Sequence, residues 1–507
     1  MSFFVDQFSA RWLEAARGGV CDLPNFERLA RRGVTFTKAY TSNPVCCPAR
    51  ATVATGLSTR AHGVLENGYR LSPELPTFMR ALQGAGWRTG ASGKVHFHPH
   101  FEGLYPDYRP YGFDIARITE DPRGGEWLDW VEREHPEHYD SALATIWATR
   151  VPEFASYGPE KRDLSERIRR ARENMTWATT EFPEATSGAY PLPFPEEVSQ
   201  TSWITERALE FLRSVPNEQP LFAQISYVQP HAPHGVPAEY IRRVDPAALP
   251  EPARPEWVDD PHAPAYFDNK KPAGGDWRWA RRCYFADICH LDSKLGLVMD
   301  ELERLGRMEN TLLVFLSDHG DLLFDHGFCG KEERHYDACV RVPLMVAGPG
   351  FARGAACDEI VQLEDVCPTV LEAAGQSLPL MPKEGPYLKV AAEAIPQLPG
   401  RSLRETCSGD ASKRRDAAYC ESYNAIWSVD PGDWARTIIT KQHRYTFYPK
   451  NGEQLFDLVN DPDEQKNLAA DPAHAATRAE LRDKLLELIV MQDHPKTRRD
   501  LWALGVH

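Results

Sequence analysis

Apolar and polar positions along this chain follow two rhythms. Short apolar runs end abruptly in turn or polar residues, and between them lie stretches where apolar residues return every three or four positions. "SFFVDQ" is the first short run, and "LPNFERLARRGVTF" follows as a helix with Phe26, Leu29 and Ala30 on one face, Pro24 near its start and Gly33 at its stop. "LPTFMRALQGAGWRTGASGK" repeats the unit, with a helix from about Thr77 and a short strand leading to Lys94. "PLFAQISYVQPH" is a strand running into Pro230 and His231. Tyr284, Ile288, Leu291, Leu295, Val298, Leu302 and Leu305 then recur at helical spacing up to Gly306. "NTLLVFLSDHGD" is a nearly unbroken apolar run with no solvated face, which predicts a central parallel strand ending at Asp318 and His319, and "RVPLMVAGPG" reads as another.

This alternation predicts an α/β fold: a large, mostly parallel central sheet sandwiched by helices. Residues 100–200, rich in Trp, Pro and charge, read as irregular insertions on that sheet rather than its framework. Past about residue 405 the pattern changes. "RTIITKQHRYTFYPKNGEQLFDL" holds two β-rich runs and an Asn451-Gly452 turn, before a helix near Ala476 to Met491. The expected division is a catalytic α/β domain over 1–404 and a C-terminal subdomain over 405–507, a small antiparallel sheet plus helix.

Composition narrows the function. The chain has 507 residues, 42% apolar and 26% charged, values of a globular protein large enough for more than one core. A net charge of -15 argues against a broad nucleic-acid surface, so an anionic ligand has to be met by local positive charge. No apolar run reaches the length of a membrane span and "MSFFVDQFSARW" lacks the features of a secretory signal, so the chain reads as cytoplasmic with no membrane partner. Met1 lies only a few residues before Asp6, which leaves room for a start further upstream. Eleven cysteines without CxxC pairs suit neither a disulfide framework nor a structural zinc module.

Ligands of open α/β sheets bind beyond the carboxyl ends of the strands, so polar residues just after apolar runs are the first candidates. Five places qualify: Asp6-Gln7, the Cys46 stretch, Lys94 with His96, His231, and Asp318-His319 followed by Lys331. Each has a plain alternative: Asp6 as a helix cap, His231 as a loop histidine, Lys331 as a solvated charge. In "HFHPH", His98 and His100 read as structural or surface residues. Together, Asp6, Gln7, Asp318 and His319 supply mostly oxygen ligands for a hard divalent cation such as Ca²⁺ or Mg²⁺, with Mn²⁺ also compatible. Lys94, Lys331 and Arg50 supply positive charge, and His96 and His231 carry protons near neutral pH. That inventory describes an oxyanion site.

"CCPAR" followed by "ATVATG" resembles the signature of the type I sulfatases, C-x-P-[SA]-R-x-x-x-x-T-G, whose first cysteine is oxidised after synthesis to Cα-formylglycine. Counting back from Thr55-Gly56 places that cysteine at Cys46. "GKVH", "QPHAP", "NTLLVFLSDHGD", "HGFCGK", "RVPLMVAGPG" and "LFDLVNDPDEQKNLA" are similar to further landmarks of the family, in its order. The resemblance implies the alkaline phosphatase-like fold, one divalent cation, most often Ca²⁺, and maturation by a formylglycine-generating enzyme. It implies that Asp6, Asp318 and His319 bind the cation with modified Cys46, with Gln7 standing where many relatives carry a second aspartate. Arg50 would hold the hydrated aldehyde. Lys94, His96, His231 and Lys331 would surround the sulfate, and Asn67 falls where relatives resembling choline sulfatase carry a site asparagine.

The implied reaction is hydrolysis of a small organic sulfate monoester to alcohol and sulfate. His231, with Lys331, would protonate the departing alcohol, and His96 would deprotonate the second hydroxyl of the hydrate. A formylglycine-dependent phosphonate or phosphate ester hydrolase is the alternative. In phosphonate monoester hydrolases, however, Tyr and Thr occupy the positions of Lys94 and His96. Trp127, Trp130, Trp147, Trp177 and Tyr190 are candidates for stacking on a sugar or enclosing a quaternary ammonium. The C-terminal "RRDLWALGVH" is unlike the tail associated with choline sulfatase.

Overall fold

The computed structural model describes residues 1–149, 151–256, 275–331, 334–377, 399–407, 410–423 and 434–492, together with the backbone of 384–385 and 388–389. The tail containing "RRDLWALGVH" lies outside the described residues, as does the rest of 493–507.

An eight-stranded sheet forms the framework. Its strands are β1 (Ser2–Val5), β2 (Gly33–Phe36), β3 (Arg88–Gly93), β4 (Ile115–Ile118), β5 (Leu221–Ser226), β6 (Leu313–Ser317), β7 (Leu344–Ala347) and β8 (Ala355–Cys357). Their order across the sheet is β8-β2-β7-β6-β1-β5-β3-β4. All pairings are parallel except those of β7, which runs antiparallel to both β2 and β6. This corrects the reading of "RVPLMVAGPG" as a parallel strand. A wholly buried apolar run shows that a strand is central but carries no mark of its direction, which the connections decide.

Helices cover both faces. Helix α1 (Pro24–Arg32) begins with Pro24 in its first turn and buries Phe26 and Leu29, as its periodicity predicts. Helix α3 (Gln200–Ser214) and the long α4 (Trp277–Arg304) pack beside it, with Tyr284, Ile288, Leu291, Leu295, Val298 and Leu302 inward. The other face is covered in part by α2 (Cys46–Thr55), which is buried along its whole length. In the core under α1, the rings of Phe3 and Phe26 both meet Phe315, at centroid distances of 5.8 and 4.8 Å. Each such side chain contributes about 2–3 kcal/mol by leaving water.

Residues 100–200 are not only insertions. Ile115–Ile118 form the edge strand β4, paired in parallel with β3. The strand is short and half-exposed, as edge strands commonly are, so its alternation is too weak to be recognised in the sequence.

Four antiparallel strands follow: β9 (Ala417–Ser422), β10 (Ala435–Thr440), β11 (His443–Tyr448) and β12 (Gly452–Asp457). Gly452 adopts a φ of +91° at the turn predicted from Asn451-Gly452. One face of this sheet, with Ile438, Tyr445 and Leu455, packs on Leu481 and Leu485 of helix α5 (Ala475–Gln492). The other sends Ala435, Tyr448 and Phe456 into the main core. We propose residue 404 as the subdomain boundary, supported by this separate small core. No helix of the described residues is long and apolar enough to cross a membrane.

Candidate active site

Five adjacent strands deliver polar residues to one rim of the sheet. Asp318 and His319 follow β6, Asp6 and Gln7 follow β1, and His231 lies a few residues beyond β5. Lys94 follows β3, and Glu120 and Asp121 follow β4. Because the strands run parallel, their carboxyl ends coincide, and residues far apart in the chain converge.

Helix α2 brings its amino end to the same place. Cys46 is its first residue and Arg50 stands one turn later, so both side chains leave the same face. Pro48 is tolerated because the first turn needs no intrahelical donor there. The Asn67 carboxamide Oδ1 accepts the backbone N–H of Cys47 at 2.9 Å, satisfying one of the helix's open donors. At the other end the Thr55 hydroxyl donates to the Ala51 carbonyl at 2.7 Å, and Gly56 closes the helix with a φ of +68°. The spacing of the signature therefore has a local cause: Thr55 and Gly56 end a helix of the length that sets Cys46 and Arg50 at the sheet rim.

Around Cys46 lies a buried charge lattice. Arg50 donates from Nε to Asp318 Oδ2 at 2.8 Å, from Nη2 to Asp6 Oδ2 at 3.1 Å, and from Nη1 to the Lys94 carbonyl at 2.8 Å and the Ser226 hydroxyl at 2.9 Å. Lys94 Nζ, wholly buried, donates to both oxygens of Asp121 at 2.6 and 2.7 Å and pairs with Asp6 Oδ2. Burial opposes every one of these charges, but the pairing outweighs it. Asp6 is held well below the usual carboxylate range by Lys94 and Arg50, Lys94 is raised by Asp121 and Asp6, and Arg50 is raised by Asp318 and Asp6. Burial, followed by the charge of Asp6, pushes the Cys46 thiol up to about 12, so the sulfur is un-ionised at neutral pH.

Lys331 completes the cluster. Its Nζ donates to Cys46 Sγ at 2.8 Å, Gln7 Oε1 at 3.1 Å and His319 Nε2 at 3.1 Å. An ammonium at the meeting point of these atoms marks where positive charge is stabilised. The donor set also suits a divalent cation. Asp6, Cys46, Asp318 and His319 bring one ligand atom each to within 4.8 Å of one another. His319 donates from Nδ1 to the Gly320 carbonyl at 2.9 Å, which leaves the Nε2 lone pair facing Cys46 at 3.2 Å. Gln7, at a φ of +62°, gives its amide N–H to Asp321, and this turns Oε1 toward the cluster. The carboxylate and carboxamide oxygens with one imidazole make a largely hard donor set, which fits a divalent cation.

Two histidines flank the lattice. His96, at a φ of +54° and fully buried, has no hydrogen-bond partner at either ring nitrogen. Burial, then His100 and Lys94, hold it well below the usual imidazole range. His231 donates from Nδ1 to the Ala232 carbonyl at 2.6 Å, so Nε2 is its available nitrogen, and burial and Lys331 lower its affinity for protons.

The structure thus brings together Asp6, Gln7, Cys46, Arg50, Lys94, His96, His231, Asp318, His319 and Lys331. Asn67 joins them through the backbone of Cys47 rather than by contact with the charge lattice. Four residues escaped sequence reasoning. Asp121 grips Lys94, and Glu120 accepts the backbone N–H of His96 at 3.0 Å and is raised by burial to about 7. Asp321 orients Gln7 and accepts the N–H of Gly330, next to Lys331, at 2.8 Å. His100, expected at the surface or in a structural role, stacks on His96 with centroids 3.9 Å apart and lies 3.5 Å from Asp121. The only sequence signal for Glu120 and Asp121 was a pair of acids after the unrecognised strand β4. His98 does pack structurally, against Tyr108 and Tyr111.

Comparison with known proteins agrees with this geometry. Residues 3–376 match the sulfatase family model, and residues 324–491 match that of the N-sulphoglucosamine sulphohydrolase C-terminal region. An arylsulfatase of Clostridium perfringens is 26% identical, with 92% of this chain and 88% of the relative aligned. A choline-sulfatase of Rhizobium meliloti is 28% identical, covering 94% and 83%. In fold, the chain resembles a phosphonate monoester hydrolase of Agrobacterium radiobacter with a TM-score of 0.75 at 23% identity, over 97% of this chain and 95% of that one. With its family model matched over most of its length and its signature cysteine seated in a buried lattice of paired charges, this chain belongs to the sulfatase family of sulfuric ester hydrolases.

Proposed function

We propose that the protein hydrolyses a small-molecule sulfate monoester, with Cys46 matured by a formylglycine-generating enzyme and Ca²⁺ held by Asp6, Gln7, Asp318, His319 and residue 46. The observation that carries this reading is the position of Cys46. It sits at a helix amino end, 2.8 Å from Lys331 Nζ and 3.2 Å from His319 Nε2. Here Cys46 Sγ marks the place that a hydroxyl of the hydrated aldehyde would take in the mature enzyme. The hydrate would supply one hydroxyl to attack sulfur and displace the alcohol, and a second whose deprotonation would break the carbon–oxygen bond to sulfate and restore the aldehyde; a cation held there would supply positive charge to the sulfate oxygens.

The chain's own groups divide the remaining work. Arg50 holds the Asp6 and Asp318 carboxylates in register beside residue 46, and Lys94 and Lys331 present ammonium groups to sulfate oxygens. His231 exchanges its proton through Nε2 with the alcohol oxygen. The negative charge of bound sulfate opposes the burial and the Lys331 field that otherwise keep this imidazole neutral. His96, with both ring nitrogens unpartnered, takes the proton of the second hydroxyl. Asn67 steadies residue 46 through the neighbouring peptide.

Phosphonate or phosphate ester hydrolysis is the second reading, favoured by the fold likeness to a phosphonate monoester hydrolase. Lys94 and His96 favour sulfate. Two measurements test the proposal: mass spectrometry of the peptide containing residue 46, and turnover of 4-nitrophenyl sulfate against an aryl phosphonate and an aryl phosphate. Active protein carrying only intact cysteine refutes the mechanism, and preference for the phosphorus esters refutes the substrate class.

A further inference from the structure

Of the five aromatic residues singled out in the sequence between 100 and 200, four serve the core. Trp127 is 1% exposed and donates its indole N–H to the Val198 carbonyl at 3.0 Å. Trp130 packs on His135, and Trp177 packs on the buried Tyr190. Trp147 differs. It is 42% exposed although the preceding Ile146 is fully buried, so the loop is anchored while the indole is left facing solvent. Its ring lies nearly parallel to that of His231, at 25° with centroids 6.2 Å apart. Its indole N–H donates to the Asp121 carbonyl at 2.9 Å, and the carboxylate of that same residue grips Lys94. The buried Arg123 ties the two loops together, donating to the Thr145 carbonyl at 3.4 Å on one side and to the Pro233 carbonyl at 2.7 Å on the other.

A single exposed indole is ordinary on a protein surface, but this one is fixed in orientation by its N–H bond to Asp121 and lies beside His231, so covering it with an apolar group would contribute favourably. This one is registered both to the lysine that meets sulfate and to the histidine that meets the departing alcohol. We propose that Trp147 is a specificity-determining residue, an indole platform on which the alcohol part of the ester stacks as its oxygen reaches His231. The favoured substrates are then sulfates of alcohols with a flat ring face, aryl sulfates first among them. The inference rests on the sulfatase reading above. Offset stacking of two rings accounts for about a tenfold preference.

The test compares wild-type enzyme, Trp147→Phe and Trp147→Ala, each verified to carry the aldehyde at residue 46. The measured quantities are kcat and KM for 4-nitrophenyl sulfate and for ethyl sulfate, and inhibition by inorganic sulfate. Trp147→Ala is expected to lose about tenfold in kcat/KM on the aryl ester, mostly through KM, and about twofold on the alkyl ester and in sulfate inhibition, with Trp147→Phe recovering most of the aryl loss. Equal losses on both esters, or an aryl loss of twofold or less, overturn the stacking role and leave the sulfatase reading standing. A matured wild type that turns over neither sulfate overturns both.

Discussion

Replacing Asp121 with asparagine removes a negative charge from beside a lysine that water does not reach. Lys94 Nζ is 0% exposed and is held by both Asp121 oxygens, at 2.6 and 2.7 Å, and by Asp6 Oδ2. Asparagine preserves the shape and one acceptor, so one charge-assisted hydrogen bond and the paired charge are lost. Breaking a buried pair outright costs about 3–5 kcal/mol. Because Asp6 remains, the expected cost is about 2 kcal/mol, close to one hydrogen bond to a charged group. The ammonium then leans wholly on Asp6, a carboxylate that the proposed cation would also need. Two kcal/mol is about thirtyfold in an equilibrium constant, so the variant should require about thirtyfold more Ca²⁺ for half-maximal activity. Chelator-treated enzyme is titrated with Ca²⁺ while aryl sulfate turnover is followed, and circular dichroism confirms the fold. Asp121→Glu, which keeps the charge, should shift the titration far less. A folded Asp121→Asn protein with unaltered Ca²⁺ dependence would refute the claim that Lys94 is held between the two carboxylates.

Cys46→Ser should keep the fold but stop after at most one turnover, since a serine sulfate has no second hydroxyl to collapse it; normal steady-state activity would contradict the mechanism. Gly93→Ala places a Cβ 1.9 Å from the Ser226 carbonyl at a φ of +92°, beside Lys94, and should cost about 3 kcal/mol with loss of activity, read by thermal melting and turnover. His62, outside the cation site, is buried and lowered by burial to about 3, with Nδ1 accepting the Val64 N–H at 3.1 Å. Its unfolded form binds a proton below about pH 6.5 while the folded form does not. Stability should therefore fall by about 2 kcal/mol between pH 6.5 and 5 on this account, and denaturation at the two pH values should show a smaller difference in His62→Asn.

Much of the site was legible because its chemistry sits at strand ends and in one compact motif. Asp6, Asp318 and His319 each follow an apolar run, and Cys46 and Arg50 share a helical turn fixed by Thr55 and Gly56. Glu120, Asp121, Asp321 and His100 were not legible. They act through contacts between segments, and nothing in a charge on a loop says which buried lysine or amide it will meet. Asn67 shows the same limit from the other side, since its capping bond to Cys47 spans twenty residues.

From the amino-acid order alone came the layered α/β architecture, the hairpin-and-helix end of the chain, the signature cysteine and the residue types of a cation and oxyanion site, because these depend on periodicity, turn chemistry and short spacings. Only the tertiary structure decided that β7 runs against its neighbours, that Ile115–Ile118 closes the sheet edge, and that Trp147, of the five candidate aromatics, lies exposed beside His231. Strand direction, edge pairing and the facing of a ring are settled by packing between distant segments, and local sequence carries no record of it.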